Sequence, residues 1–335
     1  FENAAGGVVT GDNNKNAIHL NNNSTLKNDK GATMNFTVSS NDAAVNIWGG
    51  TADFINDGTV SATGVGVVGS SSNAGANKAT FWNQDDGVMN FTATTSGQSA
   101  VSLTHNNYVG VNDGTMNISG NGAIGMKGSQ NAQLVNNGTI NLGTAGTTES
   151  GMVAMQLDAK ATADAVIENN GAINIYAKDS YAFSKLGANG RIVNNGTVNL
   201  EGSGSGLVKE SGTEVAGVNG NTADKSEAHI ASYTLPTDPT AATQSTGLRS
   251  SINQYTVGTS ANGRAGTLTA SHVDIQDVNV DTGFTAGTAA TTQTFNDVFV
   301  GEDIQGEQNI TSTSVVWTAE GQKDANGNVD VTMTK

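Results

Sequence analysis

Ten residues, Gln133–Leu142 (QLVNNGTINL), recur almost unchanged as Arg191–Leu200 (RIVNNGTVNL). Five altered copies complete a series aligned on Gly31, Gly58, Gly87, Gly114, Gly138, Gly171 and Gly196, spaced 24 to 33 residues apart. A unit of this length cannot bury its own apolar face, so successive copies have to stack into a solenoid.

The residues after each glycine set the local structure. Two positions on stand Val60, Met89, Met116, Ile140, Ile173 and Val198, and four positions on stand Ala62, Phe91, Ile118, Leu142, Ile175 and Leu200. The first copy carries one extra residue, so Met34 and Phe36 take those roles. Apolar residues two apart lie on one face of a strand, which puts the position between them on the other face. That position holds Asn35, Ser61, Asn90, Asn117, Asn141, Asn174 and Asn199, expected to point outward.

The pairs Asn56-Asp57, Asp85-Asp86, Asn112-Asp113, Asn136-Asn137, Asn169-Asn170 and Asn194-Asn195 precede the glycines and mark a corner. Asn and Asp tolerate the left-handed backbone, and Gly enters it freely. A further apolar stretch follows, as in Val65–Val68, Ala100–Leu103, Ala123–Met126, Met152–Met155, Tyr181–Phe183 and Gly206–Val208. Strand, corner, strand, loop and strand make one coil of a right-handed parallel β-helix. No period-3.6 stripe supports a helical array. Seven coils about 4.8 Å apart give a rod segment on the order of 34 Å long.

Residues 1–30 read as a degenerate first coil with a strand at Ala17–Leu20. Repeats extend over residues 1–210, and residues 211–250, which hold Pro236 and Pro239, read as a loop insertion or junction. Residues 251–335 lose the repeat but keep strand signals at Ile252–Val257, Thr267–Ala270, Val273–Val280, Phe295–Val300, Val315–Trp317 and Val329–Met333. Asn326-Gly327 predicts a hairpin there. An open solenoid end needs covering, so this part is expected to be a C-terminal β cap.

The chain has 335 residues and a formal charge of −15, with no Cys and arginine only at 191, 249 and 264. A nucleic-acid interface needs clustered basic residues, and none are present. Thiolate metal sites and disulfides are ruled out. No apolar run is long enough for a membrane-spanning helix. The absence of an initiator Met at Phe1 suggests an excised piece of something longer.

Residues for catalysis are sparse. His19, His105, His229 and His272 have no zinc-helix spacing, and Gly202–Gly206 (GSGSG) resembles a nucleophile loop only superficially. Asp85-Asp86 and Glu302-Asp303 are the nearest carboxylate pairs for a polysaccharide-active enzyme. Asp324–Asp330 departs from a calcium loop, with Val329 and Lys335 at the sixth and twelfth positions, and is expected to be a hairpin turn. No catalytic residue, metal or cofactor is expected.

Two features resemble a known family. The Asn-Asn-Gly-Thr-(Ile/Val)-Asn-Leu repeat, with its trailing segments Gly122–Met126 and Ser150–Met155, resembles the coils of autotransporter passenger domains of Gram-negative bacteria, especially the AIDA-like adhesin type. Thr294–Lys335 resembles the end of such passengers, just before the linker and membrane barrel. The resemblance implies an autochaperone-like C-terminal region, a location at the cell surface, anchored in the outer membrane or released, and a membrane link only through an absent barrel. Some members carry glycosylated Ser and Thr residues.

The expected function is a surface adhesin acting by self-association between neighbouring cells, leading to aggregation and biofilm, or by binding a host matrix protein or glycan. The alternative is a polysaccharide-active β-helix enzyme. The candidate binding residues are Trp48 and Trp82, for stacking on sugar, and the outward row Asn90, Asn117, Asn141, Asn174 and Asn199. Stacking alone would also select an amide at the same place in every coil, as a structural ladder. Ladder formation is therefore the first expectation for that row.

Overall fold

The computed structural model describes residues 1–12, 16–37, 43–194, 196–210, 213, 215–217, 222–223, 233–234, 241–246, 250–269 and 272–335. They form a parallel β-solenoid with three long sheets. Eight coils each give one strand to every sheet among the described residues. The coil at residues 108–128 is representative: Tyr108–Asn112 lies in the first sheet, Thr115–Ser119 in the second and Ile124–Gly128 in the third. The first coil is a full member, with strands Glu2–Asn3, Val8–Gly11 and Ile18–Leu20.

Register follows the apolar pairs. In the second sheet Met89, Met116, Ile140, Ile173 and Val198 stack in one inward column, and Phe91, Ile118, Leu142, Ile175 and Leu200 in the next. All are buried in one continuous core. The first sheet adds Leu26, Phe54, Phe81, Leu134, Ile167 and Ile192, and Phe54 meets Phe81 edge-on at 5.7 Å. The third adds Val68, Val101, Met126, Met155 and Phe183. Burying each large side chain contributes roughly 1.5–3 kcal/mol, so every coil is held mainly by its neighbours.

The corners correct the expected turn chemistry. Among the aligned glycines only Gly31 has positive φ. The others are glycine because coils approach too closely for a side chain. A Cβ on Gly138 would overlap the Gly114 carbonyl oxygen and stand 2.7 Å from the Asp113 carbonyl carbon. Close approach brings bonding with it: the Gly138 N–H donates to Asn112 O at 2.9 Å, one coil back.

Among the described residues the third sheet ends at Gly206–Val208, whereas the other two continue. The first sheet runs on through Val215–Gly217, Ser250–Val257 and Val273–Val280, and the second through Ala241–Thr246, Thr267–Thr269 and Thr292–Val300. Earlier coils join the first sheet to the second through the short asparagine corner, whereas 23 residues of sequence separate Gly217 from Ala241. The described part of this segment contains the antiparallel pair Thr222–Ala223 and Tyr233–Thr234, while Pro236 and Pro239 lie outside the described residues.

Beyond Ser250 aromatic packing replaces the repeat. Phe284, set in a short 3-10 helix at Gly283–Gly287, meets Phe295 at 5.4 Å and Trp317 at 4.9 Å, both edge-on. The expected hairpin is present, as Thr318–Lys323 and Val329–Thr334 pair antiparallel at the margin of the second sheet. Val315–Trp317 is not a strand: Val315 and Val316 are exposed on a bend, and only Trp317 turns inward.

Candidate functional site

The outward asparagines form a ladder. Asn117 Nδ2 donates to Asn90 Oδ1 at 2.9 Å, Asn141 to Asn117 at 2.9 Å, Asn174 to Asn141 at 2.9 Å and Asn199 to Asn174 at 2.6 Å. Each donor sits one coil after its acceptor, and Asn90 closes the series on Ser61 Oγ at 3.3 Å. The side chains are half-buried rather than fully in solvent. Much of their bonding capacity is spent along the rod.

A second column went unrecognised in the sequence. Asn3, Asn28, Asn56, Asn83, Asn112, Asn136, Asn169 and Asn194 point inward from the last strand residue before each corner, and all are buried. Asn83 Nδ2 donates to Asn112 Oδ1 at 2.8 Å, Asn112 to Asn136 at 2.8 Å and Asn136 to Asn169 at 2.8 Å. Here each donor precedes its acceptor, so the two columns run in opposite directions. Backbone carbonyls fix the amide orientation, since Asn112 Nδ2 also reaches Gly114 O at 3.3 Å and Thr139 O at 3.2 Å.

The inner column corrects the alignment of the polar pairs. In the third copy the ladder residue is Asn83, and Asp85-Asp86 belongs to a longer corner. Second members of the pairs build a shorter outer stack, with Asn170 donating to Asn137 at 3.0 Å and Asn137 to Asp113 at 2.9 Å.

The two candidate tryptophans differ. Trp82 is only 4% exposed and its Nε1–H donates to Asp113 Oδ2 at 2.7 Å. It packs with Ile55, Val109, Val111 and Val135 in a small second apolar cluster, so it offers no stacking face to a sugar. Alternation along these strands puts Trp82 opposite Phe81, whose ring faces the core. Trp48 is 51% exposed, with the His19 ring 5.3 Å away and tilted by 37°. Tyr108 anchors this corner from within: its hydroxyl donates to Ser72 O at 2.7 Å and accepts the Gly49 N–H at 3.3 Å. Burial pushes the Tyr108 phenol up to about 12.

The carboxylate candidates lie at two separate places. Asp85 and Asp86 line an open cavity of about 280 Å³ with Asp57, Gln84 and Trp82, and Lys30 Nζ bonds Asp86 at 2.9 Å. Asp303 faces His272 at 3.3 Å on the exposed surface. Ser205, in the glycine-rich stretch, donates to Ala177 O at 2.8 Å, a bond between coils. His105 lies 3.0 Å from Ser70 Oγ, and burial first, then Lys160, lowers its pKa against the opposing effect of Ser70. His229 lies outside the described residues. Asp324 and Asp330 are brought to Asp297, with carboxylate oxygens within 4.8 Å of one another. Three carboxylates are hard-cation donors in kind. Nothing in the local sequence places Asp297 there, because strand pairing across the final hairpin makes the cluster.

Comparison with known proteins identifies relatives of this chain. Residues 1–205 match the family described as BigA fourth domain, and residues 254–335 match the BigA beta sandwich domain. A protein of Salmonella typhimurium (strain LT2), named as the surface-exposed virulence protein BigA, is 38% identical over 300 residues. Those residues are 84% of this chain but 15% of the relative. No solved structure matches. The chain belongs to the BigA family.

Proposed function

We propose that this chain is a rod segment of a bacterial cell-surface virulence protein that works by adhesion, without catalysis. The observation that carries the proposal is the run of eight three-sheet coils in a relative of a protein named as surface-exposed. A rod of stacked coils sets weak polar contacts in line, so that affinity between cells arises from multivalency. The finer assignment is an autotransporter passenger of the AIDA-like type, tethered to a Gram-negative outer membrane by a barrel outside this chain. Residues 251–335 would then serve as the autochaperone-like cap. Its support is the repeat and the resemblance of Thr294–Lys335 to passenger ends.

Contacts between neighbouring cells are the first mode to test, with host matrix protein or glycan the second. Analytical ultracentrifugation of this chain over a concentration series, with and without salt and calcium, is the experiment. Concentration-dependent dimers, and clumping of beads coated with the chain, are expected. A strict monomer in every condition rules out self-association by this segment.

A further inference from the structure

We propose that the corner carrying His19, Asn46 and Trp48, with the polar cavity beside it, is a binding site for a neutral pyranose glycan. This deepens the adhesive role proposed above and rests on it for its biological meaning.

An exposed indole is informative in a chain whose other tryptophans are buried. Trp48 is also held in place. It pairs in register with Ser72, whose carbonyl receives the Tyr108 hydroxyl, and the next residue, Gly49, bonds the same hydroxyl. A face fixed before binding loses little freedom when a ligand arrives. The tilted His19 ring widens the platform, and the apolar C–H face of a pyranose stacks on such a surface.

Asn46 links the platform to the cavity. Its Nδ2 donates to His19 Nδ1 at 3.4 Å, and its Oδ1 accepts the Ser71 hydroxyl. The cavity, about 120 Å³, is lined by Asn16, Asn46, Ser70, Ser71 and Ser102. Gly69 leaves it open, because a Cβ there would stand 3.0 Å from the Ala43 methyl. Asn16 Oδ1 lines this space buried and without a donor. Buried acceptors are nearly always satisfied, and a sugar hydroxyl or amide N–H would satisfy this one. The volume suits a hydroxymethyl or acetamido group, not a whole ring. The described lining residues are hydroxyl, amide and small side chains, which suit the hydroxyls of a neutral sugar.

The test is a printed array of neutral oligosaccharides probed with the chain, with Trp48→Ala and with Asn16→Ala. Hits are followed by acrylamide quenching of tryptophan fluorescence with the soluble sugar. Binding is expected to shield Trp48, to weaken about ten-fold or more in Trp48→Ala, and to weaken several-fold in Asn16→Ala. An unchanged thermal midpoint shows that each variant is folded. Absence of binding to any neutral glycan, or binding within two-fold in Trp48→Ala, overturns the proposal. Bead clumping is measured in parallel: if it persists while glycan binding is absent, the site fails and adhesion stands.

Discussion

The side-chain amide of Asn112 donates to the side-chain oxygen of Asn136, 2.8 Å away and one coil further along the rod. Both residues are fully buried, so neither can turn to water if its partner is lost. Replacing Asn112 by Ala leaves Asn136 Oδ1 without its donor and removes the shortest bond of Asn83 Nδ2, which keeps Gly87 O at 3.2 Å and Thr115 O at 3.4 Å. A buried unsatisfied group costs about 1–3 kcal/mol and a lost hydrogen bond about 0.5–1.5 kcal/mol, so the expected loss is roughly 1.5–4.5 kcal/mol. Asn117→Ala, in the half-buried outer ladder, is expected to cost less than about 1.5 kcal/mol. Urea unfolding of the two variants checks this, and equal losses would show that the inner column has no special weight.

A corner glycine is expected to tolerate nothing larger. Gly138→Ala drives a Cβ into the Gly114 carbonyl, and the atoms it meets are all backbone of the preceding coil, which has no side chain to swing aside. A loss of roughly 3 kcal/mol or more is expected, in the range of severe core defects. Gly146 has φ of 80° and open space around it, so Gly146→Ala meets only left-handed strain, about 1 kcal/mol. Thermal midpoints of the pair decide the point. A tolerated Gly138→Ala would mean that these corners are held by backbone conformation after all.

Alkaline pH is expected to weaken the rod through Tyr108. Its folded pKa, about 12, lies above the ordinary value of 10.0, so the folded state holds the proton more tightly. The resulting stability is fully present below about 10 and is lost as pH rises through the folded value. Burial raises Tyr255 in the same direction. Denaturation midpoints should stay level to about pH 10 and fall beyond it, with phenolate absorbance rising as the chain unfolds. Tyr108→Phe should lessen that fall at a neutral-pH cost of about 1–2 kcal/mol from the lost hydrogen bonds. A midpoint unchanged up to pH 12 would refute the assignment.

Asn-Gly sequences deamidate when the glycine nitrogen attacks the asparagine side chain, which requires a mobile backbone. The Gly138 nitrogen is committed to Asn112 O at 2.9 Å and the Asn137 amide to Asp113 at 2.9 Å. Asn326, before Gly327, is exposed at the hairpin tip. Peptide mapping after mild alkaline incubation should therefore find isoaspartate at Asn326 well before Asn137. The reverse order would show that the coils open more readily than the hairpin.

The apolar columns are legible in the sequence because period two leaves little choice once copies such as Met116–Ile118 and Ile140–Leu142 are aligned. The inner asparagines are not. Asn136 before Asn137-Gly138 has the composition of a turn, and only stacked coils reveal that its amide bonds along the axis. Gly138 hides in the same way, since left-handed conformation and close approach both select glycine. Trp48 and Trp82 look alike as isolated aromatics. What separates them is burial on the outer face of the first sheet, which has no local signature.

Among the described residues the third sheet stops at Gly206–Val208, while the hydrogen bonds between coils run parallel to the long axis. Tension along that axis meets a peeling geometry, in which one turn can let go while the next still holds. A released turn of 24 to 33 residues pays out on the order of 80–110 Å of chain, against the roughly 5 Å it spanned when folded. The molecule can thus yield by large steps under shear, as a shock absorber does, and the part where only two sheets continue among the described residues is where the first turn would give.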